Sequence, residues 1–182
     1  MFAGTGIVNA VVPANVSFFY TEGIFADCKN LETVTFLSQQ TSDTTNAAYA
    51  FGKDWIAGCD NFKYAYIDEF KSIGAYVVKH LDQAEINVLY VKTLKTDKLA
   101  DGFIGSTPFD DVSEDFELRF VEDSYEELIF KFRKLTYSWK FKVYDKDGNR
   151  LICSQDTSGG YRGRVVSVVD KDGNVIWSEN AN

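Results

Sequence analysis

Histidine, proline and methionine are nearly missing from this chain, which has one, two and one of them among 182 residues. Any imidazole acid or base would have to be His80, which lies in no recognisable catalytic motif, so we expect no enzymatic activity. The three cysteines include no Cys-x-x-Cys pair and no histidine-rich unit accompanies them, so the sequence predicts no metal site and no cofactor. Their odd number also argues against a framework of paired disulfides.

Long apolar runs and an excess of positive charge are lacking too. No run of about 18 apolar residues occurs, and the start has no basic residues before an apolar stretch, which argues against a membrane span and a secretory signal. The net charge is −8, and residues 1–122 hold twice as many acidic as basic side chains. Such a surface repels phosphates, so we expect no nucleic-acid partner. The 45% hydrophobic content is nevertheless typical of a folded globular protein.

What the chain does contain is a short repeated pattern, in which an apolar residue is followed by two more, three and five positions further on. The four copies are Ile7/Ala10/Val12, Leu31/Val34/Phe36, Phe62/Ala65/Ile67 and Ile86/Leu89/Val91. They begin 24, 31 and 24 residues apart, which is near the period of stacked coils that each contribute one strand. The pattern predicts a solenoid with these side chains in its interior.

Two of the copies share more than their apolar positions. Residues 25–36 read FADCKNLETVTF and residues 56–67 read IAGCDNFKYAYI. They resemble the BspA-like type of leucine-rich repeat, and the similarity covers residues 7–92 well and residues 93–122 weakly. The resemblance implies coils of one strand and one short helix. It also implies a non-enzymatic recognition module of the kind found in bacterial surface proteins, protists and phage-encoded proteins.

The expected fold class is therefore α+β. Residues 1–122 would form a short leucine-rich-repeat solenoid of about four irregular coils, followed by a small antiparallel β domain over residues 123–182. Short helices are expected at residues 22–28, 54–59 and 72–80. Residues 116–121 fit the repeat poorly, because Arg119 stands where an apolar residue belongs, and we interpret them as the terminal coil.

Cys28 and Cys59 occupy equivalent positions in neighbouring coils. Stacked strands lie about 4.8 Å apart, so a disulfide between the two residues is geometrically possible. The alternative, which we favour, is a pair of reduced thiols inside the stack, since free cysteine is among the most buried residue types. Cys153 is expected on a strand of the tail. This use of cysteine fits synthesis in a reducing compartment.

The tail contains the pentapeptide DKDGN twice, at residues 145–149 and 170–174. It superficially resembles a calcium-binding loop, but in the first copy Val143 and Ser154 stand where an EF-hand loop requires carboxylates. We therefore interpret both copies as hairpin turns, in which Asp-Gly and Asn tolerate positive φ. The tail would then be an antiparallel sheet of four or five strands. Its first strand would carry Leu128, Phe130 and Phe132.

Side chains that alternate with the inward positions must point to the other face of the strands. In the four repeats these are Asn9/Val11, Thr33/Thr35, Tyr64/Tyr66 and Val88/Tyr90. Exposed tyrosines flanked by valines are typical of the centre of protein interfaces. The residues predicted to bind a protein partner are Thr33, Thr35, Tyr64, Tyr66, Val88 and Tyr90. The alternative is that the tail or a loop folds over these residues and buries them.

Together these features predict a non-enzymatic module for protein binding and assembly. The first strand begins six residues after Met1, so an open sheet edge and a homo-oligomeric or hetero-oligomeric assembly are expected. The most specific expectation is a structural protein of a phage virion, in a head decoration, a fibre or a tail. The alternatives are a bacterial adhesin at the cell surface and a cytoplasmic inhibitor of a host defence protein, whose acidic repeats would imitate nucleic acid.

Overall fold

The part of the chain that the computed structural model describes contains nine strands and one helix. The described residues are 2–13, 23–37, 55–70, 87–94, 113–133, 135, 138–156, 158 and 160–181. The strands are β1 (Asn9–Val12), β2 (Thr33–Phe36), β3 (Tyr64–Phe70), β4 (Val88–Leu94), β5 (Glu117–Phe120), β6 (Lys142–Tyr144), β7 (Arg150–Cys153), β8 (Val165–Val169) and β9 (Val175–Ser178). The helix, α1 (Tyr125–Phe132), lies between β5 and β6 in the chain. All nine strands belong to one sheet, in which their order is the order of the chain.

The direction of the strands changes at β6. Strands β1 to β6 pair in parallel, and β6 to β9 pair antiparallel. Parallel neighbours need a crossover connection, whereas antiparallel neighbours can be joined by a short turn. The two DKDGN segments supply such turns, one between β6 and β7 and the other between β8 and β9. The predicted hairpin turns are thus confirmed, and so is the pairing of strands from successive repeats.

Two rows of inward side chains fix the register of the sheet. The first row is Ala10, Val34, Ala65, Leu89, Leu118, Val143, Leu151 and Val168. The second row is Val12, Phe36, Ile67, Val91 and Phe120. All of them except the half-buried Ala10 are buried, and each large apolar side chain contributes about 1.5–3 kcal/mol by its burial. A slip by one residue would turn a whole row to the opposite face, which strongly favours the observed pairing.

The expected α+β fold, a leucine-rich-repeat solenoid followed by a small antiparallel β domain, is wrong. The described residues are nearly all β, with a single sheet and one short helix. That helix has eight residues, and no helix in the described part is long and apolar enough to cross a membrane. Strands β5 and β6, on either side of the predicted boundary between residues 122 and 123, pair directly in this sheet. The division into two domains stays a prediction.

Stacked turns take the place of two of the expected helices. Residues 23–27 and 55–58 are turns, and the third expected helix, at residues 72–80, lies outside the described residues. The amide of Asp27 donates to the Ala57 carbonyl at 2.7 Å, so it serves the neighbouring layer and not an i−4 carbonyl. Segments of four or five residues gain too few hydrogen bonds to offset the cost of helix nucleation.

Helix α1 occupies the residues that were expected to form the first strand of the tail. Ser124 caps the helix: its hydroxyl accepts from the Glu127 amide at 3.4 Å, and the Glu127 carboxylate accepts from the Ser124 amide at 2.8 Å. Leu128 and Phe132, one turn apart, are buried, whereas Phe130 between them is 62% exposed. The predicted strand is therefore wrong, because burial follows the period of a helix.

The register expected for residues 116–121 is wrong as well. Strand β5 buries Leu118 and Phe120, so Arg119 lies between them on the opposite face of the sheet. Arg119 thus replaces no apolar side chain of the core. Because β6 pairs in parallel beyond β5, this segment is not the last of the parallel series.

Candidate functional site

The six residues predicted to bind a partner lie together on the outer face of β2, β3 and β4. Thr33 lies beside Tyr64, Thr35 beside Tyr66, and Tyr66 beside Tyr90. All six are half-buried. We call this set the outer strip: Thr33, Thr35, Tyr64, Tyr66, Val88 and Tyr90. The inward rows position it, since the outer side chains of neighbouring strands align when the inner ones do.

Two tyrosines of the outer strip contact each other across β3 and β4. The rings of Tyr64 and Tyr90 meet edge to face, with centroids 5.0 Å apart and planes at 73°. Such a pair contributes about 0.5–1.5 kcal/mol beyond the burial of its area. At the β1 side of the strip, the Thr33 hydroxyl donates to Asn9 Oδ1 at 2.7 Å. Side chains that are already held in this way lose less conformational freedom when a partner binds.

Tyr66, in the middle of the outer strip, lies next to a small cluster of charges. Lys92 Nζ is 3.5 Å from Asp68 Oδ1 and 3.9 Å from Glu122 Oε1. Burial raises the pKa of the Tyr66 hydroxyl, Asp68 raises it further, and Lys92 acts in the opposite direction. The hydroxyl is therefore protonated at neutral pH and can donate a hydrogen bond to a partner. The carboxylates of Asp68 and Glu122 also raise the pKa of Lys92.

The row that contains Tyr66 and Tyr90 continues across three more strands. Tyr90 lies opposite Arg119. Arg119 lies opposite Tyr144, which in turn lies opposite Arg150. We call these last three residues the arginine–tyrosine row. These three residues were not predicted from the sequence, because Arg119 was expected at an inward position. The alternation of polar and apolar residues within β5 was the available signal.

The strands of the tail do not fold over the outer strip. Strand β6 pairs with the edge of β5, and β7, β8 and β9 follow in the same sheet. The tail therefore extends the sheet sideways. The interpretation in which the tail covers the strip is wrong for these strands.

The two cysteines of the repeats are free thiols in equivalent hydrogen bonds. Cys28 Sγ donates to the Phe2 carbonyl at 3.0 Å, and Cys59 Sγ donates to the Phe25 carbonyl at 3.0 Å. Each thiol thus links its turn to the preceding layer. Cys28 is buried as predicted, whereas Cys59 is half-buried. Burial raises the pKa of Cys59 and of Cys153. Little thiolate forms at neutral pH, so neither thiol is suited to act as a nucleophile.

The DKDGN turns use their first carboxylate to bind their own backbone. Asp145 Oδ1 accepts from the amides of Asp147 at 2.9 Å and Asn149 at 2.7 Å, and Asp170 accepts equivalent bonds in the second turn. The side chain of Asn174, with its amide, lowers the pKa of Asp170. Across the described ranges, no three His, Cys, Asp or Glu residues are grouped to hold a metal ion.

Comparison with known proteins adds no relative to this picture. No family model matches the chain, and neither the curated proteins nor the solved structures include a significant match. The resemblance to BspA-like repeats therefore stays a prediction. His80, the one candidate for imidazole chemistry, lies outside the described residues.

Proposed function

We propose that the chain is a non-enzymatic protein-binding module, and that it contacts its partner through the outer strip and the arginine–tyrosine row. The observation that carries the proposal is a single register row across five strands. Its members are Tyr66, Tyr90, Arg119, Tyr144 and Arg150. Tyrosine and arginine are among the residue types that dominate binding energy at protein interfaces. All five are half-buried, so they combine accessible surface with restricted motion.

The identity of the partner is a narrower proposal. A structural role in a phage virion, where the partner is another virion subunit, remains our first choice. An adhesin would bind a surface protein of another cell. The inhibitor hypothesis is the least favoured for this face, because Arg119 and Arg150 give it positive charges that an imitation of nucleic acid would lack.

The proposal is tested by placing a charge in the outer strip. Tyr66→Glu and Tyr90→Glu are compared with Tyr161→Glu, a matched control because Tyr161 is 49% exposed and lies outside the sheet. Each purified chain is immobilised at equal density and exposed to an extract of the source organism, and the captured proteins are quantified by mass spectrometry. We expect the two strip variants to lose a protein that the control retains. Thermal melting shows whether all three variants remain folded.

Equal capture by folded strip variants and by the control would disprove the proposal. The captured protein also separates the narrower hypotheses, since a virion subunit, a cell-surface protein and a host defence protein are different outcomes. Light scattering of the purified chain tests the predicted homo-oligomer. A hetero-oligomer appears only after the captured protein is added.

A further inference from the structure

The arginine–tyrosine row places two arginines on the strands at either side of one tyrosine. Arg119, Tyr144 and Arg150 come from three adjacent strands and lie directly opposite one another. Adjacent strands are about 4.8 Å apart, so the backbones of the two arginines are separated by about 10 Å along the row. This spacing allows one ligand segment to reach both guanidinium groups.

Arg119 is held in one orientation by two contacts. Its Nε donates to Glu117 Oε2 at 2.7 Å, and its guanidinium carbon lies 4.2 Å from the centroid of the Tyr144 ring. The Nε–H of Arg119 is used in the hydrogen bond to Glu117. The described residues accept no hydrogen bond from the terminal Nη groups of Arg119. Those Nη groups form the planar fork that binds a carboxylate through two parallel hydrogen bonds. Because the fork is oriented in advance, a ligand loses little free energy in ordering it.

Positive charge concentrates on this part of the outer face. Among the described residues, Arg150 forms no ion pair and Lys142 forms one, with the exposed Asp115 at 3.8 Å. In contrast, Lys92 on β4 already lies between two carboxylates. In a chain with a net charge of −8, strands β5 to β7 therefore present a local exception that attracts an acidic group.

We propose that the arginine–tyrosine row binds an acidic segment of a protein partner, with carboxylates that engage Arg119 and Arg150. The proposal rests on the function proposed above, protein binding by this face, and specifies the chemistry of the partner. A segment with a few carboxylates fits better than a nucleic acid does. A continuous row of phosphates would also meet Glu117, Asp68 and the acidic remainder of the chain, which repel it.

The probe is a fluorescent synthetic peptide of alternating Glu and Ser, with a Gln and Ser peptide as its uncharged match. Binding to the full chain is measured by fluorescence anisotropy. We expect the Glu peptide to bind and the Gln peptide to bind at least about tenfold more weakly, a difference within the range measured for close charge pairs at interfaces. Raising the salt from about 50 to about 300 mM should weaken the Glu complex, because it shortens the distance over which charges interact.

Variants assign the binding to this row. Arg119→Ala and Arg150→Ala should each weaken the Glu complex at least about fivefold. Arg162→Ala removes the same charge from an exposed turn outside the sheet and should leave it unchanged. Arg119→Lys keeps the charge and the fold but lacks the planar fork, so it should also weaken binding. If Arg119 had only a structural role, Arg119→Ala would lower the melting temperature, and Arg119→Lys that melts normally would bind the Glu peptide as tightly as the unchanged chain.

Several outcomes would overturn the acidic-segment proposal. These are failure of the Glu peptide to bind, equal binding of the Gln peptide, and equal weakening by Arg162→Ala. Tighter binding of a single-stranded oligonucleotide would assign the row to nucleic acid. An oligomer of the purified chain that Arg119→Ala disperses would make the occupant a second copy, not a separate partner.

The two proposals fail in distinguishable ways. If the Tyr66→Glu and Tyr90→Glu variants lose the captured protein while Arg119→Ala and Arg150→Ala retain it, the face binds protein but not through an acidic segment. If all four variants retain it and no variant affects the Glu peptide, both proposals are wrong.

Discussion

Replacing Gly58 by alanine should destabilise the stacked turns more than the same change does at an open glycine. Gly4, Asp27 and Gly58 occupy equivalent positions in three successive turns, and their φ angles are 70°, 58° and 73°. An added Cβ at Gly58 would lie 2.4 Å from Asp27 Oδ1 and 3.4 Å from Asp27 Cα. The left-handed conformation costs alanine about 1–2 kcal/mol, and displacement of the Asp27 side chain adds about 1 kcal/mol more, at the low end of overpacking effects.

Two matched glycines separate these contributions. Gly4 belongs to the same stack and Gly173 to a hairpin turn; both have positive φ, and an added Cβ would meet no atom within 4 Å at either site. We expect Gly4→Ala and Gly173→Ala to lose only the conformational part, about 1–2 kcal/mol. Asp27→Gly relieves the strained φ and removes the clashing carboxylate, so it should recover part of the loss when combined with Gly58→Ala.

The assay is urea unfolding of each purified variant, with the free energy of unfolding taken at a common slope m. In a chain of this size about 1 kcal/mol shifts the melting temperature by about 2–4 °C, which gives an independent check. If Gly58→Ala is no more destabilising than Gly4→Ala, or if Asp27→Gly leaves its effect unchanged, the side chain of Asp27 does not contact the turn at Gly58 and the stacking argument fails.

Three further predictions test the helix and the polar groups. Leu128→Ala should lower the free energy of unfolding by about 2–5 kcal/mol, whereas Phe130→Ala on the exposed side of α1 should change it by less than about 0.5 kcal/mol; equal losses in urea unfolding would favour a strand. Asp123 is 3% exposed and accepts hydrogen bonds from a threonine of β4 and a lysine of α1, so Asp123→Ala should cost about 2 kcal/mol by removing the carboxylate that holds this half-buried lysine, and a loss under about 1 kcal/mol would contradict this. Because folding lowers the pKa of Asp170, its contribution to stability should be complete above the unfolded value of about 3.9 and disappear as the pH falls through the lower folded value; an NMR titration that gives Asp170 an ordinary pKa would refute it.

The inward rows could be predicted from the sequence, and the reason is physical. The apolar side chains three and five positions after the first apolar residue of each repeat, such as Val34 and Phe36, have few alternatives to burial in an alternating strand. The hairpin turns could also be predicted from the sequence, because Asp-Gly within an alternating segment has one favourable local geometry. Both features depend on residues within a few positions of each other.

The positions of the helix and the turns could not be predicted as completely from the sequence. The turns near Cys28 and Cys59 look like helix starts locally, but they are joined across layers: the amides of Phe25 and Asp27 donate to the carbonyls of Trp55 and Ala57, 30 residues further on. No local pattern indicates such a partner. At α1 the error is the opposite one: the spacing of Leu128, Phe130 and Phe132 predicts a strand, although Ser124 and Glu127 provide a capping box. The capping box was thus a local signal for a helix, but the two-residue period of a strand was assigned to the apolar residues instead.

The separation between the inward and outward rows is what gives the outer face its functional meaning. Asn9 pairs with Thr33 and Thr33 with Tyr64, although the intervals are 24 and 31 residues long. The length of chain between strands therefore does not set the register; the buried rows do, because a slip would expose them. Packing of the core places no demand on the identity of the outward residues, which add stability only through cross-strand contacts such as that of Tyr64 and Tyr90. On β2 this outward row holds a threonine, Thr35. On the following strands it holds Tyr66 and Tyr90, and then arginine and tyrosine in alternation. Packing of the core does not require that change, and the proposed contact with a partner accounts for it.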